Sequence, residues 1–195
     1  MHPDAGPTAV GSRRASTIQT QVLRRAVAAG LGVLVVALSA QVVVPVPFSP
    51  VPMTLQPLAV LAVGGLLGPA GAVGALLLYI GLGALGLPVF AGGGSGVLHL
   101  VGPTGGYLLA FPVAAGVTGT LSGRIPRSPL RVLLACALGM VIIHAGGVAQ
   151  LALLGGDPAL AMRVGFVPFL TGDLLKVGLA AALILAAGPR VRSLL

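Results

Sequence analysis

Phe166-Val-Pro-Phe-Leu-Thr-Gly-Asp-Leu-Leu-Lys-Val-Gly-Leu-Ala-Ala-Ala-Leu-Ile-Leu-Ala-Ala-Gly188 is long and apolar enough to cross a bilayer as a helix, yet it carries Asp173 and Lys176 near its start. At about 100° per residue, positions three apart lie about 60° from each other, so the acid and the base share one helix face. A charge at membrane depth costs about 2.5–3.5 kcal/mol on insertion scales and is usually kept where it faces a cavity or a pathway. A blander reading stays open: an acid three residues ahead of a base can form an ion pair that only neutralises itself.

Composition places the whole chain in lipid. Of 195 residues 56% are hydrophobic and only 7% charged, with a mean hydropathy of +1.09, too few polar groups to cover a water-soluble surface. The net charge of +8 does not point to nucleic acid, because the basic residues sit at the ends of apolar segments and do not alternate with aromatics. The single cysteine, Cys136, lies within an apolar run, which excludes a disulfide framework and a CxxC metal or redox motif. No metal or cofactor is expected.

Working back to the N-terminus, residues 1–21 are polar and read as a disordered cytoplasmic tail. Ala26–Val44 is an apolar span in which Ala26/Gly30 and Ala28/Gly32 would let another helix approach closely. It exceeds the core of a cleaved signal peptide and is read as retained. Pro45–Pro57 holds five prolines in thirteen residues and reads as a rigid loop, with Thr54 and Gln56 as polar side chains at its inner end. Leu58–Leu67 is a short helix ended by Gly68-Pro69, and Ala70–Leu87 a further span containing Tyr79. Between Gly92 and Gly106 lie seven glycines, Gly92 and Gly93 among them, which allow backbone to approach a ligand. A plain linker would not also carry Phe90, His99, Thr104 and Tyr107. Leu108–Ser122 and Val132–Leu154 complete the spans before the last. His144 and Gln150, six apart in the latter, lack metal-ligand spacing, and His144 reads as a packing residue.

Arginine positions set the topology. With six spans and a cytoplasmic N-terminus, one side holds Arg13, Arg14, Arg24, Arg25, Arg124, Arg127, Arg131, Arg190 and Arg192, nine in all, and the other only Arg163. The expectation is an all-α integral membrane protein with six transmembrane helices over residues 22–190, both termini cytoplasmic and a short tail over 191–195. The proline-rich loop, the glycine-rich loop and the Asp173 end of the last helix then meet on the outer face. Irregular backbone at membrane depth belongs beside a cavity, so an outward-facing pocket is expected.

Four segments resemble one family: Val51-Pro-Met-Thr-Leu-Gln56, Gly86-Leu-Pro-Val-Phe-Ala-Gly-Gly93, Gly102-Pro-Thr-Gly-Gly-Tyr107 with Phe111-Pro112, and Pro168-Phe-Leu-Thr-Gly-Asp-Leu-Leu-Lys176. Together, in this order, they are similar to the BioY family, the biotin-specific substrate-binding (S) components of energy-coupling-factor (ECF) transporters. The resemblance implies an S-component-like bundle in the bacterial inner membrane that captures biotin, with a separate transmembrane (T) subunit and two ATPase subunits as partners. ATP would be used only by those partners; this chain carries no nucleotide-binding motif. It also implies ligand binding by Asp173 and Lys176, a lid formed by the loop after the first helix, and partner contact through Ala26, Ala28, Gly30 and Gly32. His144 and Gln150 stand where aromatic residues would be expected, which bears on the pocket floor.

Biotin's chemistry fits these residues. Asp173 can accept from the ureido N–H groups through charge-assisted bonds, and Lys176 either orients Asp173 or meets a ligand acceptor. Tyr79 or Tyr107 can pack on the ring system with the hydroxyl toward water, Gly92, Gly93 and Thr104 belong to the loop over the site, and Thr54 or Gln56 can close it. A transporter of another vitamin-like ligand is the neighbouring reading. An intramembrane enzyme would have to be built from Asp173, Lys176, His144 and Cys136, which show no recognised catalytic spacing.

Overall fold

The computed structural model describes residues 7–123 and 128–195, with side chains from residue 19 onward. The side chains of Arg13 and Arg14, used above for topology, lie outside what is described, as do Arg124, Arg127 and the start of the tail.

Helix α1 spans Pro7–Ser39, followed by a two-residue pairing of β1 (Val43–Val44) with β2 (Met53–Thr54), and by α2 (Gln56–Ala84). A 3-10 turn at Ala91–Gly93 and the short α3 (Leu98–Val101) lead into α4 (Gly105–Ser122) and α5 (Pro129–Gly155). Then come α6 (Pro158–Gly165), a 3-10 turn at Val167–Phe169 and α7 (Leu170–Leu194). Among the described residues, four stretches are long and apolar enough to cross a membrane: 19–39, 56–84, 129–155 and 158–194. Side chains such as Leu23, Leu31, Leu38, Leu78, Leu134 and Leu174 stand outward, which in water would be a large apolar patch and in lipid is the solvated surface.

Helix α2 is two arms. Gly68 has φ 76° and ψ 173°, and Pro69 starts the second arm. A continuous helix would put Gln56 and Tyr79 about 35 Å apart; instead Gln56 Nε2 donates to the Tyr79 hydroxyl at 2.8 Å. The chain therefore reverses at Gly68, as the Gly68-Pro69 pair predicts. A Cβ there would meet nothing within 4 Å, so the positive φ alone makes glycine the fitting residue. The first arm's end is capped from α7, whose Arg192 Nη2 donates to the Gly65 carbonyl at 2.6 Å, a cation at a helix C-terminus.

Several boundaries differ from those read in the sequence. The first helix stops at Ser39, not Val44, because Pro45 disfavours helical geometry at Val44, and β1 pairs across the proline-rich loop as Val43↔Thr54 and Val44↔Met53. At its other end α1 begins at Pro7, so the stretch 7–21 assigned to a disordered tail continues the helix; propagation adds residues to an existing helix at little cost. Likewise the 191–195 tail is largely the end of α7. Helix α6 was not expected. Its start was marked in the sequence: Asp157 Oδ1 accepts from Ala159 N at 2.9 Å and Leu160 N at 3.0 Å, with Pro158 following.

Small residues let the central helices touch. A Cβ on Gly106 of α4 would fall on the Gly146 carbonyl of α5, and one on Gly64 of α2 would lie 2.6 Å from the Ala115 carbonyl of α4. Two apolar clusters result, one of Leu61, Val132, Cys136, Met140, Val177 and Ile184 among α2, α5 and α7, and a larger one containing Val36, Val60, Leu76, Tyr79, Phe90 and Phe111. The larger cluster lies beneath the site.

Candidate functional site

At the end of the bundle opposite Gly68 lies a cavity of about 320 Å³, at the lower end of the range for small-molecule sites. Its wall draws on the proline-rich loop (Pro50, Val51, Pro52, Thr54, Gln56, Pro57), the glycine-rich region (Phe90, Ala91, His99, Pro103, Thr104), α4 (Tyr107, Leu108, Phe111), α5 (Ile143, His144), and Phe169, Asp173 and Lys176. The segments singled out in the sequence thus meet at one place.

The polar corner is a chain of three buried side chains. Lys176 Nζ donates to Asp173 Oδ1 at 3.0 Å, and Asp173 Oδ2 lies 2.6 Å from His144 Nε2. Asp173 is 6% exposed, Lys176 5% and His144 6%. The intrahelical pair therefore exists, but it also faces the cavity and is extended by a histidine from α5. His144 is the residue that sequence reasoning left out of the site. An ionisable group alone in an apolar span was the available signal, and its six-residue distance from Gln150 gave no motif. Around the imidazole stand Phe166, at 5.0 Å between ring centres, and Tyr107 and Phe169, each at 6.0 Å.

The other expected site residues divide between the wall and the layer behind it. Thr54, Gln56, Thr104 and Tyr107 line the cavity. Tyr79 does not; it is fully buried behind Gln56, accepting from that amide and donating to the Val89 carbonyl at 2.9 Å. Neither tyrosine turns its hydroxyl to water, because Tyr107 donates to the Gly165 carbonyl at 2.6 Å. Gly92 and Gly93 sit in the 3-10 turn beside the lining residue Ala91, with φ of 63° and 78°, and Gly92 N donates to the Ala40 carbonyl at 3.2 Å. They shape the loop without lining the cavity. Gln150 is not at the floor: its amide donates to the carbonyls of Leu100 at 3.0 Å and Gly102 at 2.6 Å, pinning the glycine-rich region to α5. Of the small residues on α1, Gly32 is buried against Leu67 and Val63 of α2 and Ala28 is half-buried, while Ala26 and Gly30 are exposed. Gly32 serves packing within the bundle, leaving Ala26 and Gly30 open to a neighbour.

Gln56 joins loop and bundle, for the Thr54 hydroxyl donates to its Oε1 at 3.2 Å while its Nε2 holds Tyr79. Gln56→Leu is expected to lower unfolding stability by about 1–3 kcal/mol, the usual cost of stranding buried polar partners; an unchanged denaturation midpoint would refute this role.

The sequence profile of the BioY family matches residues 12–193. The chain belongs to the BioY family. Two relatives are the probable biotin transporter BioY of Pyrococcus horikoshii (strain OT-3), 39% identical over 141 residues covering 72% of this chain and 82% of that one, and the biotin transporter BioY of Thermotoga maritima, 39% identical over 163 residues covering 84% and 95%. The fold is similar to that in a crystal structure of the S-component for biotin from an ECF-type ABC transporter, with a TM-score of 0.80, 23% identity, and coverage of 89% of this chain and 93% of that one. BioY proteins are transporter components, not enzymes, and the apolar helices of this chain make it a membrane protein.

Proposed function

We propose that this chain captures biotin for uptake across the bacterial inner membrane, holding it in the cavity at the Asp173 end of the bundle. That end would face outward, with release inside energised by a separate T subunit and two ATPase subunits. The observation that carries the reading is the convergence of both irregular loops on a largely apolar cavity whose polar corner is built from Asp173 and Lys176. The names of the relatives point to the same ligand.

The reversal at Gly68 supports six spans, counting the two arms of α2 separately together with α1, α4, α5 and α7. Both termini then lie on the cytoplasmic side, where Arg190 and Arg192 stand. Cysteines introduced as Val97→Cys, at a position 60% exposed near the cavity, and Ser193→Cys at the other end are expected to be labelled from opposite sides of the membrane. Cys136 is fully buried and gives no background. Labelling of both from one side would reject the topology.

Biotin is expected to bind the purified chain without ATP. At a hundredfold excess over Kd it should raise unfolding stability by about 2.7 kcal/mol. Calorimetry without saturable heat, together with an unmoved thermal midpoint, would reject the ligand assignment.

A further inference from the structure

Both ring nitrogens of His144 face oxygens that accept. Nε2 lies 2.6 Å from Asp173 Oδ2, and Nδ1 lies 3.3 Å from the Gly165 carbonyl, which also accepts the Tyr107 hydroxyl. A neutral imidazole donates from one nitrogen only, so in either tautomer one contact sets a ring lone pair against an oxygen lone pair. The imidazolium satisfies both. The groups facing the ring are Asp173 and Lys176 from α7, Tyr107 from α4, and Phe166 and Phe169 around the 3-10 turn. The aromatic rings are uncharged. Two cations then stand against one carboxylate.

An excess positive charge on buried side chains is unfavourable until something offsets it. Each oxygen of Asp173 takes one hydrogen bond from within the protein and keeps a further lone-pair site, while Lys176 uses one of three N–H donors on Asp173. The corner can therefore still both donate and accept, but its net charge is positive and only an anion offsets that charge.

We propose that His144 is a specificity-determining residue, which by carrying a proton gives the Lys176–Asp173–His144 corner one net positive charge and selects a ligand bearing a single carboxylate. The inference rests on the biotin reading, since biotin's side chain ends in such a group. Binding of the anion is then linked to the proton this corner carries, so the complex holds more protons than the free protein. Affinity then falls as pH rises, by up to about tenfold per pH unit for one linked proton.

The test is calorimetry on the purified full chain between about pH 6 and 9, where the ligand's carboxylate stays ionised, with biotin and its neutral carboxamide. Biotin affinity is expected to fall with pH, with proton uptake seen as a dependence of the binding heat on the buffer's ionisation enthalpy; the carboxamide should bind more weakly and without that slope. His144→Gln, which keeps a donor for Asp173, should flatten the biotin profile. His99→Gln, at the other histidine on the cavity wall, should retain the slope whatever its effect on affinity. If His144→Gln does not fold, proton uptake by the unaltered chain decides. A flat profile with no proton uptake, an equal slope for the carboxamide, or a slope that survives His144→Gln would overturn the proposal while leaving biotin binding intact. Failure to bind biotin at every pH overturns the functional reading and this inference together.

Discussion

Asp173→Asn is expected to weaken biotin binding by about 1.5–3 kcal/mol, the worth of a hydrogen bond to a charged group, or roughly 10- to 150-fold in Kd. The carboxylate organises the corner, with Lys176 on one oxygen and His144 on the other, all three at least 94% buried. An asparagine can accept from only one side and turns a donor toward the other. Stability should fall as well, because removing one partner of a buried ion pair leaves an uncompensated charge, typically at a cost of about 3–5 kcal/mol. The double variant Asp173→Asn/Lys176→Met separates two roles. If the pair merely neutralises itself, removing both charges restores binding; if it forms the ligand's polar contact, stability recovers and affinity does not. Isothermal titration beside denaturant unfolding reads both quantities, and full recovery of affinity in the double variant would end the binding role of Asp173.

Gly147→Ala is expected to destabilise the fold by about 1–3 kcal/mol through overpacking, and to weaken ligand binding with it. A Cβ at Gly147 would overlap the Tyr107 ring, and that ring cannot swing aside without breaking its hydroxyl bond to Gly165. Tyr107 is part of the cavity wall, so the displacement reaches the site directly. The control is Gly81→Ala, a helical position of α2 where a Cβ meets nothing within 4 Å; there alanine should be neutral or stabilising by up to about 1 kcal/mol. Equal unfolding midpoints for the two variants would show that the approach of α5 to α4 is looser than these contacts require.

How far each residue could be read ahead of the fold depended on whether its role is local. Asp157-Pro158, Gly68-Pro69 and the prolines after Val44 act on their own neighbours in the chain, so a helix start, a reversal and a helix end were all signalled by residue type. The facing of Asp173 and Lys176 likewise followed from helical period within one segment. The backbone carbonyls and the carboxylate that Tyr79, Tyr107, Gln150 and His144 meet lie 10 to 58 residues away on other parts of the chain. No short-range pattern marks such a bond, because a carbonyl has the same chemistry at every position.

The sequence by itself determined that the chain lives in lipid, that it is helical, where its two irregular segments lie, and that an acid and a base share a face of its last helix, since hydropathy, proline and glycine geometry and helical period are properties of adjacent residues. Tertiary structure decided the rest. It placed a histidine from another helix on the far oxygen of Asp173, turned Gly32 inward and both tyrosine hydroxyls onto buried carbonyls, and sent Gln150 to the loop instead of the cavity. Each of those outcomes depends on which helix packs against which, and that is settled only when small residues such as Gly64, Gly106 and Gly147 let the bundle close.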